Sequence, residues 1–211
     1  MEQTYDSKAK RVRGVLAELG MDLAKLPSPP PASSVGGPFL PIAARDATAF
    51  EKQINRIQLA RNHVDRLTRA LVSVPLRKPL AGELEQSSGF GVRVDPFLRS
   101  AAMHSGLDFR GSTGDPVRAT AAGKVESAGW SGGYGRMIEI DHGNGFSTRY
   151  GHLSEILVSE GQAIKPGQLI GRVGSTGRST GPHLHYETRV DGDAVDPHKF
   201  LRAGARLGEK S

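Results

Sequence analysis

Four histidines and one aspartate carry the chemistry-bearing pattern of this chain. His183 and His185 stand two apart in GPHLHYET, directly after a Gly-Pro break. Side chains alternate along a strand, so both imidazoles would project from one face, with Leu184 and Tyr186 on the other. Two imidazoles sharing a face can bind a metal, pass a proton, or simply decorate a surface strand. His104 in MHSGLDF precedes Asp108 by four, and the intervening Gly106 favours a loop leading into a strand. His152 lies in RYGHLS. Together these residues offer a metal a His/Asp/His set with one position left for water. Zinc suits that set, because it accepts imidazole nitrogen and carboxylate oxygen in tetrahedral geometry. Magnesium or calcium would call for more oxygen ligands, and the sequence holds no carboxylate cluster to supply them. Two neutral imidazoles and one carboxylate leave the ion with a charge of about +1, and zinc-bound water can reach a pKa of about 7. The remaining histidines could move a proton and stabilise an oxyanion. Residue types alone do not divide the four histidines between these roles. The helical zinc-protease pattern His-Glu-x-x-His is absent. His63, His142 and His198 read as exposed side chains.

The elements that must position this set change character along the chain. Residues 8–26, KAKRVRGVLAELGMDLAKL, predict a helix that stops against a Pro/Ser/Gly stretch at about 27–38, which reads as a linker. A second helix is expected from an N-cap at Asp46 to about Val74, before Pro75. Ile57, Ala60, Val64, Leu67, Leu71 and Val74 recur on it at spacings of three and four, a coiled-coil-like stripe for core or interface. From about Gly82 to Pro197 the period becomes two, in short β-branched runs separated by Gly, Pro, Asn and Asp. HGNG at 142–145 and VDGD at 190–193 read as hairpin turns. The expected fold class is therefore α+β. An antiparallel all-β domain over 81–205 follows a helical region over 1–80, with a tail at 206–211.

Charge separates the same two parts. Residues 1–80 carry 13 Lys and Arg against 7 Asp and Glu, whereas residues 81–211 carry 15 of each. A nucleic-acid enzyme usually surrounds its groove with positive charge, so a neutral β part argues against a nucleic-acid partner. Cysteine is absent, so disulfides are excluded and a metal must use His, Asp or Glu. The start, MEQTYDSKAK, is polar, and no apolar run nears the ~20 residues of a membrane helix.

From about Gly89 to Leu201 the sequence resembles the lysostaphin-like, LytM-type zinc metallopeptidases that cut peptidoglycan peptides. The resemblance runs through GFGVRVDPF, HSGLDF, TGDPVRATAAGKV, GYGRMIEIDHGNGFSTRYGHLS, KPGQLIGRVGSTGRSTGPHLHYE and VDPHKFL. It covers just over half the chain, with blocks in the family's order and spacing, and does not extend over residues 1–80. By resemblance, His104, Asp108 and His185 match the family's zinc ligands, and His152 and His183 match its two non-ligand catalytic histidines. Arg93 matches an arginine at the groove edge, with no assigned role. No other cofactor is implied.

The resemblance implies a narrow-grooved β fold and a zinc endopeptidase that hydrolyses peptidoglycan cross-links by attack of a metal-bound water. A D,D cross-link is expected over a glycine bridge. Because the ligand set is intact, this reading is preferred to a non-cleaving module that activates a partner cell-wall amidase. The implied partners are stem peptides or cross-bridges, and the implied location is the extracytoplasmic envelope, in the periplasm. A signal or membrane anchor upstream of Met1 is then expected, although none is visible. The 46–74 helix would form a homodimer, pack intramolecularly beside the groove, or space the enzyme from a membrane.

Overall fold

Local capping decides where the two N-terminal helices begin and end. The computed structural model describes residues 2–21, 48–94 and 99–208. The expected linker at 27–38, Asp46 and residues 209–211 of the tail lie outside them. The chain forms two compact units that divide between Leu71 and Val72.

In the first unit, α1 (Glu2–Glu18) buries Ala9, Val12, Val15 and Leu16 along one stripe. It starts and ends earlier than the 8–26 expected. Gly20 takes a left-handed φ of 76°, its N–H bonds Ala17 O at 3.0 Å, and Met21 N–H bonds Leu16 O at 3.0 Å. This paired closure satisfies the last carbonyls and stops the helix at a glycine, the residue that enters the left-handed region without steric cost. α2 (Ala49–Leu71) opens on a reciprocal cap instead of at Asp46: Glu51 N–H donates to Thr48 Oγ1 at 3.2 Å, and Thr48 N–H donates to the Glu51 carboxylate at 2.7 Å. It ends at Leu71, three residues before Val74. α1 and α2 pack together, and α2 buries Val64, Leu67 and Leu71 of the expected stripe, together with Ala70. His63 is half-buried, with Nε2 2.7 Å from Nη2 of Arg13, where an exposed histidine was expected.

The second unit holds β1 (Gln86–Ser88), β2 (Gly91–Val94), β3 (Ala101–His104), β4 (Leu107–Arg110), β5 (Pro116–Arg118), β6 (Gly123–Ser131), β7 (Gly135–Gly143), β8 (Phe146–Leu153), β9 (Glu155–Ile156), β10 (Ala163–Ile164), β11 (Leu169–Arg172), β12 (His183–Val190), β13 (Asp193–Val195) and α3 (His198–Leu207). The principal antiparallel sheet runs β1-β4-β12-β8-β7-β6-β10, with β13 also beside β12. A three-stranded sheet, β5-β11-β9, and a β2-β3 ribbon complete the strands of the described residues. An antiparallel β unit after an N-terminal helical segment is the architecture the sequence predicts. Both expected hairpins form: Asn144 and Gly145 at φ 53° and 78°, Asp191 and Gly192 at φ 50° and 89°. Positive φ at both central residues matches the right-handed twist of the flanking strands.

Strand alternation splits the principal sheet into two faces. Leu107, Phe109, Ile138, Ile140, Tyr150, Leu184 and Tyr186 face the core, each at most 2% exposed. Burying side chains of this size contributes about 1.5–3 kcal/mol apiece. The opposite face of β4 and β12 carries Asp108, His183, His185 and Glu187. Residues 72–80, placed by composition with the helices, attach to this unit. Ala122 N–H bonds Val72 O, Arg77 N–H bonds Thr120 O, Arg118 N–H bonds Pro79 O, and Leu76 and Leu80 are buried. α3 runs to Leu207, beyond the residue-205 limit read from sequence.

A polar chain crosses this core. His142, expected exposed, is 5% exposed; its Nδ1–H donates to Ala122 O at 2.7 Å, and Nε2 lies 2.8 Å from Thr148 Oγ1. Thr148 Oγ1 donates to the Tyr150 hydroxyl at 3.1 Å, and Tyr186 OH donates to Thr120 Oγ1 at 3.1 Å. Burial lowers the His142 pKa, outweighing the Ala122 hydrogen bond and the Asp141 charge. The unfolded imidazole protonates below about pH 6.5, whereas the folded one resists. Stability is therefore lost as pH falls through that range. The decline in urea-unfolding free energy from pH 7 to 5 is expected to be shallower in His142→Gln than in wild type; parallel curves would refute this.

α3 supplies a second test. A Cβ on Gly204 would lie 1.9 Å from Leu76 O, so only a hydrogen fits between helix and chain. On an open helix Gly→Ala stabilises by about 1 kcal/mol. Here Gly204→Ala is expected to destabilise by about 1–3 kcal/mol, read by thermal melting.

Candidate metal centre and groove

The register between β4 and β12 builds the centre of the site. Asp108 pairs with His185 across the two strands, on the face away from the core. Asp108 Oδ1 lies 2.8 Å from His185 Nδ1. The two-residue turn Ser105-Gly106 carries the chain from β3, in the small ribbon, to β4 in the principal sheet. It swings His104 over the same point, with Nε2 3.1 Å from Asp108 Oδ1 and 3.2 Å from His185 Nδ1. Gly106 permits this approach, since a Cβ there would meet Tyr186 O at 2.4 Å and His185 Cε1 at 3.0 Å. Ligand atoms of His104, Asp108 and His185 all lie within 4.8 Å of one another, and all three residues are buried.

His152 reaches the site by breaking strand alternation. Thr148 and Tyr150 face the core, so unbroken parity would send His152 there too. Instead His152 adopts φ 60°, and the β7–β8 register shifts between Arg136 and Ile138, which oppose Leu153 and Tyr150. The bulge returns Leu153 to the core and leaves His152 lining the groove. A left-handed non-glycine residue costs about 1–3 kcal/mol, which the surrounding sheet must offset. The His152 and His183 rings lie 4.7 Å apart, and the His152 and His185 rings 5.8 Å apart.

Each imidazole commits one nitrogen outward. His104 Nδ1–H donates to Gly89 O at 2.6 Å, His152 Nδ1–H to Thr176 O at 2.8 Å, and His183 Nδ1–H to Gly181 O at 2.8 Å. His185 is reversed: Nε2 lies 3.1 Å from Glu187 Oε1. A carbonyl or carboxylate can only accept, so the inward nitrogen of each neutral ring keeps its lone pair, whereas a ring protonated at both nitrogens donates inward to Asp108. Two such lone pairs and a carboxylate oxygen converge at the His104–Asp108–His185 point. Crowded acceptors of this kind fit a small divalent cation, and a two-nitrogen, one-oxygen set suits zinc.

Electrostatics follow the geometry. Burial pushes the Asp108 carboxyl up, but hydrogen bonds and charges from His104 and His185 outweigh it and hold it well below the usual range. Burial lowers His185, yet the Asp108 and Glu187 carboxylates bring its net shift upward. His152 is lowered to about 4, first by burial and then by the neighbouring imidazoles, so it is neutral at pH 7.

These residues line a groove of about 310 Å³, walled also by Arg93, Met103, Tyr134, Arg178 and Thr180. Arg93 Nη2 lies 3.5 Å from Asp108 Oδ2. All five residues singled out from sequence thus meet in one place. His142 and His198 do not join them; His198 bonds Gln86 Oε1 through Nε2 at 2.7 Å. Sequence reasoning missed Glu187, Tyr134 and Ser105, although Glu187 continues the His183-x-His185 alternation by one more step.

The profile of peptidase family M23 matches residues 102–197. A DD-carboxypeptidase/endopeptidase, Mpg, from Neisseria meningitidis is 50% identical over 111 residues, covering 53% of this chain and 26% of its own length. The chain thus spans about a quarter of the length of that curated relative. A zinc-containing peptidase from Vibrio cholerae superposes with a TM-score of 0.54 at 38% identity, covering 58% of this chain and 38% of that one. The catalytic domain of lysostaphin from Staphylococcus simulans superposes with a TM-score of 0.52 at 38% identity, over 56% of this chain and 92% of that one. With the M23 profile lying over β3 to β13, and the lysostaphin catalytic domain covered almost end to end, the chain belongs to peptidase family M23.

Proposed function

We propose that this protein is a zinc-dependent endopeptidase that hydrolyses peptide cross-links of bacterial peptidoglycan in the extracytoplasmic envelope. One observation carries the reading: the acceptor atoms of His104, Asp108 and His185 converge on one point of a groove whose wall also carries His152 and His183. The Mpg relative's name, DD-carboxypeptidase/endopeptidase, supports a D,D cross-link as the bond cut.

His104 Nε2, Asp108 Oδ1 and His185 Nδ1 would hold the metal. Zinc, when bound, supplies Lewis-acid polarisation of the scissile carbonyl and lowers the pKa of water at the site. His152 is neutral and holds its proton on Nδ1 against Thr176 O, so its Nε2 can accept a proton from the attacking water. His183, with Nδ1–H fixed on Gly181 O, offers a second Nε2 beside it. Between them the pair takes up the proton, returns it to the leaving amine, and in its protonated form donates to the developing oxyanion. The catalytic unit is the β part of the chain.

Asp108→Ala and His185→Ala are expected to lose zinc by metal analysis and to lose hydrolysis of purified cell wall. His183→Ala should retain zinc while turnover falls by roughly 10²–10⁴-fold. Turnover near wild type in His183→Ala would remove it from the proton path. A wild-type protein that neither retains zinc nor cleaves defined cross-linked muropeptides, read by mass spectrometry, would sink the proposal.

A further inference from the structure

Beneath the converging donors lies a carboxylate that the proposed chemistry does not use. Glu187 is fully buried at 0% exposure, on the same face of β12 as His185 and one alternation further along. Its Oε1 collects three donors from three separate elements. These are His185 Nε2–H at 3.1 Å, the Tyr134 hydroxyl at 2.7 Å, and the Ser105 hydroxyl. Ser105 sits in the turn between His104 and Asp108, and Tyr134 in the groove wall between β6 and β7. Oε2 accepts from Arg189 Nη1 at 2.7 Å.

Stability alone does not account for this group. Burying a carboxylate costs several kcal/mol even when it is paired, and an apolar side chain of similar volume is often as stable or more so. Arg189 alone would balance the charge. The arrangement instead turns the carboxylate edge toward His185 and toward the two elements that flank it.

We infer that Glu187 is a positioning residue for the proposed zinc site. By accepting the Nε2–H of His185 it directs the Nδ1 lone pair toward His104 and Asp108, and through Ser105 and Tyr134 it ties that ring to the metal-bearing turn and the groove wall. The inference rests on the zinc reading above. It also explains why His185 alone of the four imidazoles points Nδ1 inward: its outward acceptor is a side chain two residues along the same strand, whereas the other three use backbone carbonyls.

Glutamine cannot replace this carboxylate. An amide must present its NH₂ either to Arg189 or to the three donors at Oε1, and each choice sets donor against donor. Aspartate keeps the charge opposite Arg189 but withdraws it by one methylene from His185. The test is zinc affinity of the full chain, measured by competition with a chromophoric chelator, with folding followed by circular dichroism and melting. Loss of an outer partner of a metal-bound histidine typically costs 10- to 100-fold in metal affinity. Glu187→Gln is expected to weaken zinc by that factor, and Glu187→Asp, which serves if the glutamine variant does not fold, by at least about fivefold. Gly204→Ala is the control, expected to melt lower with zinc affinity unchanged, so that general destabilisation is separated from positioning. Zinc affinity within twofold of wild type in either folded Glu187 variant would overturn the inference and leave the zinc reading standing. A wild-type protein without zinc affinity would overturn both.

Discussion

The pairing of β4 with β12 is the constraint on which the rest of the site depends. It sets Asp108 directly across from His185 and turns both away from the core. A slip of one residue would invert every side chain on one strand, placing His185 in the core and Leu184 in the groove. The register is held because the same alternation that exposes Asp108, His183 and His185 to the groove drives Leu107, Phe109, Leu184 and Tyr186 into the hydrophobic interior. Core burial therefore enforces site geometry. The apolar half of each strand carries the stabilisation, and the polar half inherits its precision.

That support is needed because the site is electrostatically costly. Several imidazoles and a carboxylate are gathered in a buried cluster where lone pairs face one another. The protein offsets this by committing the outer nitrogen of each ring: Gly89, Thr176 and Gly181 carbonyls for three of them and Glu187 for the fourth. Outer partners fix ring orientation and tautomer, which would reduce the reorganisation that the proposed metal requires on binding. His152 adds a backbone cost, its φ of 60°, for a side chain that the regular strand would have buried.

Beyond the site, the core itself is partly polar. The chain from His142 through Thr148 and Tyr150, together with Thr120, Tyr186 and Thr188, links strands β7, β8 and β12 and the loop before β6 on the face opposite the groove. Its members are buried and bonded to one another, so they constrain which strands can pair without leaving polar groups orphaned. α3, closing against the Leu76 backbone through Gly204, ties residues 72–80 to the same body.

Much of this was legible in the sequence, for physical reasons that differ between elements. Period-two alternation marked the β unit, and Asn-Gly and Asp-Gly marked two hairpins, because those signals are local. The five site residues were legible as a set from their types and from the resemblance of their surrounding motifs. Helix ends were read less well: Gly20 and Thr48 cap the helices through hydrogen bonds that composition alone does not rank against Leu26 or Asp46. His142 looked like an exposed turn histidine because nothing local reveals the Thr148 hydroxyl and Ala122 carbonyl that receive it. What the sequence determined by itself was therefore the alternation, the turns and the identity of the donors. Only the tertiary structure decided which nitrogen of each histidine faces inward, that His152 escapes the core through a bulge, and that Glu187 stands behind His185. Those outcomes depend on partners up to about eighty residues away in the chain, such as Ser105 for Glu187. Their proximity is set by strand pairing and cannot be read from spacing.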